Sequence, residues 1–168
     1  MRSDIDDERT HADAAQEHRA KASIERTVEW VDTDASGHQH NSAIMRWVEA
    51  AEAQLVRDLG LDDYFPAAPR VRQEINYRTK LWFGQPVTAT VAVVKMGRSS
   101  MTYAFEVVGH PFAGHAGGTA ADGTVTVVHV PVGSSTGSPW PGPMRAALAP
   151  DGLGAPVGIF DDVDIAST

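Results

Sequence analysis

The sequence contains no cysteine. This absence excludes disulfides, thiolate metal sites and cysteine nucleophiles together, and it favours a cytoplasmic protein. No apolar run approaches the roughly 18 residues that a membrane-spanning helix requires, so no membrane partner is expected. The first twenty residues are charged and lack the apolar segment of a signal peptide. We therefore expect a soluble protein that is not exported.

Positive charge is also scarce, since 14 Lys and Arg face 22 Asp and Glu and give a formal net charge of −8. Nucleic-acid binding depends on clustered basic residues, so a nucleic-acid partner is not expected. The simplest interpretation of the negative charge is solubility. An anionic ligand such as a phosphate would need a local basic patch to offset the negative electrostatic potential of the whole protein.

The length of 168 residues suits one domain and is too short for two comfortable ones. Residues 1–22 are charged and poor in large apolar side chains, which predicts a flexible N-terminal arm. From Pro131 onward Gly, Pro and Ser dominate, so we expect a tail laid over the surface or disordered after Leu148. The predicted domain is therefore 23–148, followed by a flexible tail over 149–168.

Hydrophobic periodicity changes in an informative order inside that domain. Residues 24–31 have the composition of a strand. Residues 41–59 carry apolar side chains at steps of three and four, which is typical of one helical face, and Gly60 follows as a C-cap glycine. Asn41 or Ser42 is the predicted N-cap. Four further strands are predicted at 71–77, 87–96, 100–108 and 124–130, with a hairpin at Gly97 and Arg98.

This order of elements excludes a parallel sheet, because no crossover helices separate the later strands. The predicted class is α+β, with one long helix packed on a five-stranded antiparallel sheet.

The densest polar cluster lies between the first strand and the long helix, where residues 31–41 read V-D-T-D-A-S-G-H-Q-H-N. A carboxylate just ahead of a helix N-terminus shares its position with unpaired N–H donors and the positive end of the helix dipole. That combination suits acyl transfer, because one group can attack or activate water while the donors stabilise an oxyanion. The alternative from spacing alone is that Asp32 and Asp34 merely cap the turn and the helix.

Several short motifs occur in one order along residues 24–146. They are DTDASGHQHN at 32–41, RWVEAA at 46–51, INYR at 75–78, FG at 83–84, GRSS at 97–100, VTV at 125–127 and TGSP at 136–139. Through this ordered set the chain resembles the hotdog-fold thioesterases of the 4-hydroxybenzoyl-CoA thioesterase type. The resemblance implies a hotdog fold, in which the sheet wraps a central helix. It also implies hydrolysis of acyl thioesters of coenzyme A or of an acyl carrier protein, with no cofactor.

The resemblance also implies roles for individual residues. The second aspartate of the turn, Asp34, is the expected catalytic carboxylate, acting as nucleophile or as general base for water. The thioester carbonyl is expected to be held by a backbone N–H near Asn41, at the start of the helix. Glu49, further along the helix, is expected near the site of an opposing subunit. The first aspartate, Asp32, is expected to order the turn.

Lys80 is a further candidate to contact phosphates or pantetheine. Substrate contacts are also expected from the remaining motif residues, namely His38, His40, Ile44, Tyr77, Arg78, Arg98, Ser99 and Ser100. Ile44 replaces a tyrosine usual in the family, and His40 stands where asparagine is common, so the acyl pocket is expected to differ from the typical one. The glycine-rich stretch 110–118 predicts a mobile flap or a plain loop. Because hotdog sheets leave pairing edges, a homodimer or homotetramer is expected.

Four alternatives compete with this interpretation. Asp34, His38 and His40 include zinc-ligand types, but no third histidine is placed by the sequence, so no metal is expected. A dehydratase of the same fold would carry an Asp-x-Asn-x-x-His signature, which is absent. A non-catalytic acyl-CoA sensor acting on DNA would need a basic helix-turn-helix segment, which is not apparent. Release of a carrier-bound polyketide or fatty acyl chain is the strongest rival.

Overall fold

The computed structural model describes residues 20–149. Its strands are β1 (Lys21–Thr27), β2 (Arg70–Tyr77), β3 (Pro86–Met96), β4 (Ser100–Gly109) and β5 (Gly118–Val128). Its α-helices are α1 (Asn41–Asp58), α2 (Tyr64–Ala67) and α3 (Gly142–Leu148), and a 3-10 turn covers Trp30–Asp32. The strands form one antiparallel sheet in the order β1-β3-β4-β5-β2. The predicted α+β class with a five-stranded antiparallel sheet is confirmed.

The long helix α1 packs across β1, β3 and β4. Its apolar stripe is buried as the spacing predicts, with Ile44, Val48 and Ala51 completely inaccessible to solvent. The helix ends at Asp58, and Gly60 follows with φ of 65°, the left-handed conformation that glycine adopts without strain. The predicted N-cap is wrong by one or two residues. His40 is the cap, because its Nδ1 accepts the Ser42 N–H at 3.1 Å.

Two strand boundaries also differ from the prediction. β1 ends at Thr27, and Trp30 and Val31 leave the sheet and are 78% and 71% exposed. The reason is local, because the Asp32 side chain accepts the Glu29 N–H and closes a 3-10 turn in place of a strand.

The other boundary is the start of β5, which begins at Gly118, six residues before the predicted position 124. Residues 110–117 form a loop as predicted, and Gly118 and Gly123 lie within the strand. At Gly123 a side chain would collide with the Glu74 carbonyl and the Phe105 ring. The hairpin predicted at Gly97 and Arg98 is present between β3 and β4.

The segment after Pro131 is not only a surface tail. It continues into α3, and Trp140, Met144 and Leu148 are buried in the core at intervals of four residues. Trp140 stacks on Tyr64 with ring centroids 6.3 Å apart. The many Pro and Gly residues concealed this short helix from the sequence analysis. Most of the predicted N-terminal arm lies outside the described residues, as does the predicted tail beyond residue 149. β1 starts at Lys21, inside the predicted arm.

β2 is an edge strand of the described sheet, in which its one neighbour is β5. None of its residues is buried, and Val71 and Tyr77 are 61% and 47% exposed. Within residues 20–149, no helix combines the length and apolar character needed to cross a membrane.

Candidate active site

The polar turn before α1 lies at one end of the sheet together with two other loops. β1, β2 and β4 end there, and β3 and β5 begin there, so residues 28–40, 78–85 and 110–117 converge on the start of α1. The opposite end carries the hairpin that joins β3 to β4. Most predicted site residues belong to the first end.

Asp34 is exposed at the start of its turn. Its N–H donates to the His38 carbonyl at 3.2 Å, and the Gly37 N–H donates back to the Asp34 carbonyl at 3.0 Å. The carboxylate Oδ1 accepts the Ser36 N–H at 2.7 Å and also the Ser36 hydroxyl. Oδ2 accepts no hydrogen bond from the residues that the structure describes, so one carboxylate oxygen is open to solvent or to a substrate.

The surroundings of Asp34 favour its ionised form. The hydroxyl and the backbone N–H of Ser36, followed by the nearby imidazoles of His38 and His40, hold the pKa of Asp34 below its usual value. A carboxylate with a lowered pKa stays negatively charged at neutral and mildly acidic pH. It can therefore attack a carbonyl carbon or accept a proton from water without first losing its own.

Asp32 is in a different environment, since only 5% of its surface is exposed. Its Oδ1 lies 2.5 Å from Nη2 of Arg46, its Oδ2 accepts the Glu29 N–H at 2.9 Å, and its carbonyl accepts the His40 N–H at 2.6 Å. Every one of these contacts fixes the backbone around the turn. Asp32 thus orders the turn, as the sequence suggested.

The start of α1 presents a backbone donor toward the same end of the fold. The Ala43 N–H is bound by the His40 carbonyl at 2.9 Å and the Ser42 N–H by the His40 ring. The Asn41 N–H makes no hydrogen bond within the described part of the chain. The first N–H groups of a helix have no partner in the helix itself, and here the Asn41 N–H remains available for a ligand oxygen.

The other predicted residues at this end have varied surroundings. The Tyr77 hydroxyl donates to the Asn41 carbonyl at 3.3 Å and so links β2 to the helix start. His38 pairs with Trp82 through an isolated antiparallel bridge, and its ring meets the Trp82 ring edge-on at 6.2 Å. Ile44 is buried beneath the site and has no exposed surface in this chain.

Arg78 also lies at this end, beside β5. Its Nε and Nη2 donate to the Asp122 carboxylate at 2.7 and 3.2 Å, and this contact raises the pKa of the Arg78 guanidinium. The same contact, together with a hydrogen bond from Asn76, holds the pKa of Asp122 below its usual value despite partial burial. Arg78 is thus engaged within its own chain.

Four predicted residues are not brought near Asp34 in this chain. Glu49 lies eight residues along α1 from Asn41, about 12 Å at 1.5 Å per residue, and it pairs with Arg70. Arg98, Ser99 and Ser100 lie in the β3–β4 hairpin, a strand length of about 30 Å from the Asp34 end.

Two buried glutamines that the sequence analysis missed hold the three loops together. Gln39 Oε1 accepts the Leu81 N–H at 2.6 Å, and the Gln39 N–H donates to the Leu81 carbonyl at 3.0 Å. Gln85 accepts the Trp82 N–H at 3.0 Å and donates to the His110 carbonyl at 2.8 Å. No sequence signal distinguishes these amides from surface glutamines, because Leu81 is 42 residues from Gln39 and His110 is 25 residues from Gln85.

A groove of about 470 Å³ opens between the second and third loops. Trp82 forms part of its wall, and the His115 ring stacks on it with a centroid separation of 4.5 Å and an interplanar angle of 12°. The structure of residues 20–149 contains no cluster of three or more His, Asp or Glu side chains with the geometry of a metal site.

Comparisons with known proteins agree with this architecture. The chain is similar to a predicted thioesterase from Bacillus stearothermophilus, with a TM-score of 0.67 and 23% identity over 76% of this chain and 93% of the other. It is similar to a Thermus thermophilus thioesterase solved with coenzyme A and zinc, with a TM-score of 0.67 and 23% identity over 76% and 90% of the two chains.

A third solved structure is the 1,4-dihydroxy-2-naphthoyl-CoA thioesterase of Synechocystis, with a TM-score of 0.66 and 16% identity over 76% of this chain and 95% of the other. At these identities the likeness shows the hotdog fold.

A search among curated proteins found no matching sequence. The family model described as the thioesterase-like superfamily matches residues 28–148. The chain therefore belongs to the thioesterase-like superfamily, and the family and hotdog fold predicted from its ordered motifs are confirmed.

Proposed function

We propose that the protein hydrolyses an acyl-CoA thioester to the free acid and coenzyme A, with Asp34 as the reacting carboxylate. The proposal rests on the presence, at one end of the fold, of an exposed carboxylate with an open oxygen and of a helix whose first N–H, that of Asn41, has no partner among the described residues. The family supports thioester chemistry, and the similar Thermus thermophilus thioesterase was solved with coenzyme A.

In the proposed reaction, the thioester carbonyl oxygen accepts the Asn41 N–H at the positive end of α1. Asp34 then either attacks the carbonyl carbon or takes a proton from an attacking water molecule. Both routes give a tetrahedral oxyanion at the helix start, from which the carbon–sulfur bond breaks and the thiolate leaves, to be protonated by solvent. Direct attack leaves an acyl anhydride on Asp34, which water hydrolyses.

The two routes differ in the origin of one oxygen atom. A single turnover in ¹⁸O-labelled water places the label in the acid product when water attacks the thioester directly. It places the label in the Asp34 carboxylate when Asp34 attacks the carbonyl carbon and water then attacks the Asp34 side of the anhydride. Mass spectrometry of the acid and of the peptide containing Asp34 locates the label. Label in Asp34 identifies direct attack by Asp34, whereas label in the acid alone results both from water attack on the thioester and from water attack on the acyl side of the anhydride.

For substrate, we propose medium or large acyl or aryl groups. Ile44 replaces the tyrosine usual at the helix start, and the site end of the fold is open beside the glycine-rich loop 110–117. The similar Synechocystis enzyme acts on a naphthoyl thioester by its name. The test is release of free thiol from short, long and aromatic acyl-CoA esters, and activity on acetyl-CoA alone would contradict the substrate proposal.

The same assay separates the competing functions. Turnover of carrier-protein esters with none of the CoA esters would favour release of a carrier-bound polyketide or fatty acyl chain. Binding of acyl-CoA without turnover of either class would favour a non-catalytic binding module. The cytoplasmic location predicted from the absence of cysteine stays a prediction.

We further propose that the protein is a homodimer or homotetramer. The exposed edge strand β2 offers unpaired backbone groups and an apolar side chain at Val71. Glu49, Arg98, Ser99 and Ser100 lie away from Asp34 in their own chain, so their predicted roles require a second subunit. Light scattering at micromolar concentration tests this, and a mass near that of one 18.0 kDa chain would contradict it.

A further inference from the structure

The groove beside the second loop has a lining unlike the rest of this acidic chain. It is lined by residues 79–82, Gln85 and residues 114–118. None of these residues is acidic, although the chain contains 22 Asp and Glu. The groove, which we call the loop groove, therefore presents no carboxylate that would repel an anion.

Hydrogen-bond donors in the loop groove lack partners. The backbone N–H groups of Gly114, Ala116 and Gly117 make no hydrogen bond within residues 20–149. The Lys80 ammonium forms no ion pair with any described residue, whereas Arg78, two positions earlier, is held by Asp122. Several backbone donors and one free cation around a concave surface are what an oxyanion with several oxygens requires.

The walls of the loop groove are fixed by contacts beneath it. Gln85 joins Trp82 to the His110 carbonyl, and the His115 ring stacks on Trp82. Gly117 packs so closely that a Cβ there would lie 2.6 Å from the Gly109 carbonyl. Trp82, His115 and Gly117 are thus held at the wall of the groove before any ligand arrives, which lowers the entropy lost on binding.

The loop groove is also close to Asp34. Asp34 is hydrogen-bonded across its turn to His38, and His38 lies opposite Trp82 in an antiparallel bridge. Two such steps of about 5 Å place Trp82 within about 10 Å of Asp34. A ligand in the groove and a thioester at Asp34 can therefore belong to one extended molecule.

We propose that the loop groove holds a phosphate group of the substrate's pantetheine-bearing portion, with Lys80 and the N–H groups of loop 110–117 as its donors. The proposal rests on the proposed thioesterase function and adds the place where the carrier portion is recognised. A phosphate is favoured over a carboxylate of the acyl group because a phosphate is common to coenzyme A and to carrier-bound pantetheine. Its oxygens also match the number of donors.

The test measures equilibrium binding by calorimetry, without turnover, on the full chain. Four probes share parts of one structure: coenzyme A, 4′-phosphopantetheine, pantetheine and adenosine 3′,5′-bisphosphate. The variant is Lys80→Ala, and the matched control is Lys21→Ala, which removes the same charge from an exposed position at the far end of the sheet.

We expect coenzyme A to bind the parent about tenfold more tightly than pantetheine, as one charged contact implies. Lys80→Ala should remove most of that difference and leave pantetheine binding nearly unchanged, and Lys21→Ala should preserve it. If 4′-phosphopantetheine retains the gain, the phosphate of the arm is the group held. If only coenzyme A and the bisphosphate bind tightly, the groove holds the nucleotide phosphates, and the assignment to the phosphate of the arm is overturned.

Equal binding of coenzyme A and pantetheine, or equal losses in Lys80→Ala and Lys21→Ala, would overturn the proposal. These outcomes are independent of the chemistry at Asp34. Thiol release that depends on Asp34, without any phosphate preference, would support the thioesterase proposal and contradict phosphate binding in the loop groove. Phosphate-selective binding without hydrolysis would support phosphate binding in the loop groove and contradict the thioesterase proposal.

Discussion

Asp32 and Asp34, the two aspartates of the turn before α1, should respond oppositely to the same chemical change. Asp34→Asn removes a charge from an exposed side chain, and the amide oxygen can still accept the Ser36 N–H and hydroxyl. Exposed substitutions of this kind usually change the free energy of unfolding by less than about 0.5 kcal/mol. An amide can neither attack a thioester nor accept a proton at neutral pH. We therefore expect kcat to fall by about 10²–10⁴ with Tm nearly unchanged.

Asp32→Asn should show the opposite pattern. Both Asp32 oxygens accept hydrogen bonds, from Arg46 and from the Glu29 N–H. An asparagine has one oxygen and would turn its NH₂ group toward the other donor. The Arg46 side chain is 47% exposed and can turn to water, so the cost should lie near the lower part of the range of about 1–3 kcal/mol for a buried unsatisfied group. That corresponds to a Tm lower by about 5 °C.

The assay measures thiol release and urea unfolding on the same preparations at a temperature where both variants are folded. Activity is expressed per folded molecule, so that a loss of stability is not mistaken for a loss of chemistry. An Asp34→Asn protein that melts early and turns over at the parent rate would refute the catalytic assignment. An Asp32→Asn protein that keeps its Tm and loses kcat as completely as Asp34→Asn would refute the division of roles.

Two further predictions concern stability and pH. Glu52 is 3% exposed and accepts hydrogen bonds from Tyr64, Tyr103 and Arg70. Glu52→Gln should therefore lower the free energy of unfolding by about 2–4 kcal/mol in urea titrations, whereas Glu49→Gln, at a half-exposed position, should lower it by about 0.5 kcal/mol. Equal losses in the two variants would contradict this reasoning. Because Ser36 holds the pKa of Asp34 below its usual value, the acid limb of kcat/KM should lie at low pH. Ser36→Ala should raise the pKa of Asp34 and move the acid limb of kcat/KM to higher pH. The control Ser134→Ala, at an exposed site in the segment after β5, should leave the acid limb in place. An acid limb that does not move in Ser36→Ala would mean that a group other than Asp34 controls it.

The sequence was informative where a pattern is local. The spacing of Ile44, Val48 and Ala51 predicted a buried helical face, and the helix buries these residues completely. The position of Asp34 ahead of that helix followed from counting along one motif. Local signals were also misleading, because the last strand was predicted to begin at residue 124 and β5 begins at Gly118. Gly123 lies just outside the predicted strand but inside β5, where only glycine fits against the Glu74 carbonyl.

What the sequence could not predict depends on contacts between distant segments. Gln39 and Gln85 resemble any surface glutamine until the fold brings Leu81 and His110 to them. His40 is the N-cap because its ring turns back to Ser42, a choice that the more common caps Asn41 and Ser42 obscured. The same limit applies to Trp140, whose partner Tyr64 is 76 residues away along the chain.

The two glutamine bridges also bear on the order in which the protein acquires activity during folding. Gln39 meets Leu81 across 42 residues, and Gln85 meets His110 across 25. Helix α1 can form from local contacts, but these bridges wait for chain closure, which makes non-local contacts slow. We expect refolding molecules to regain helical circular dichroism before they regain turnover.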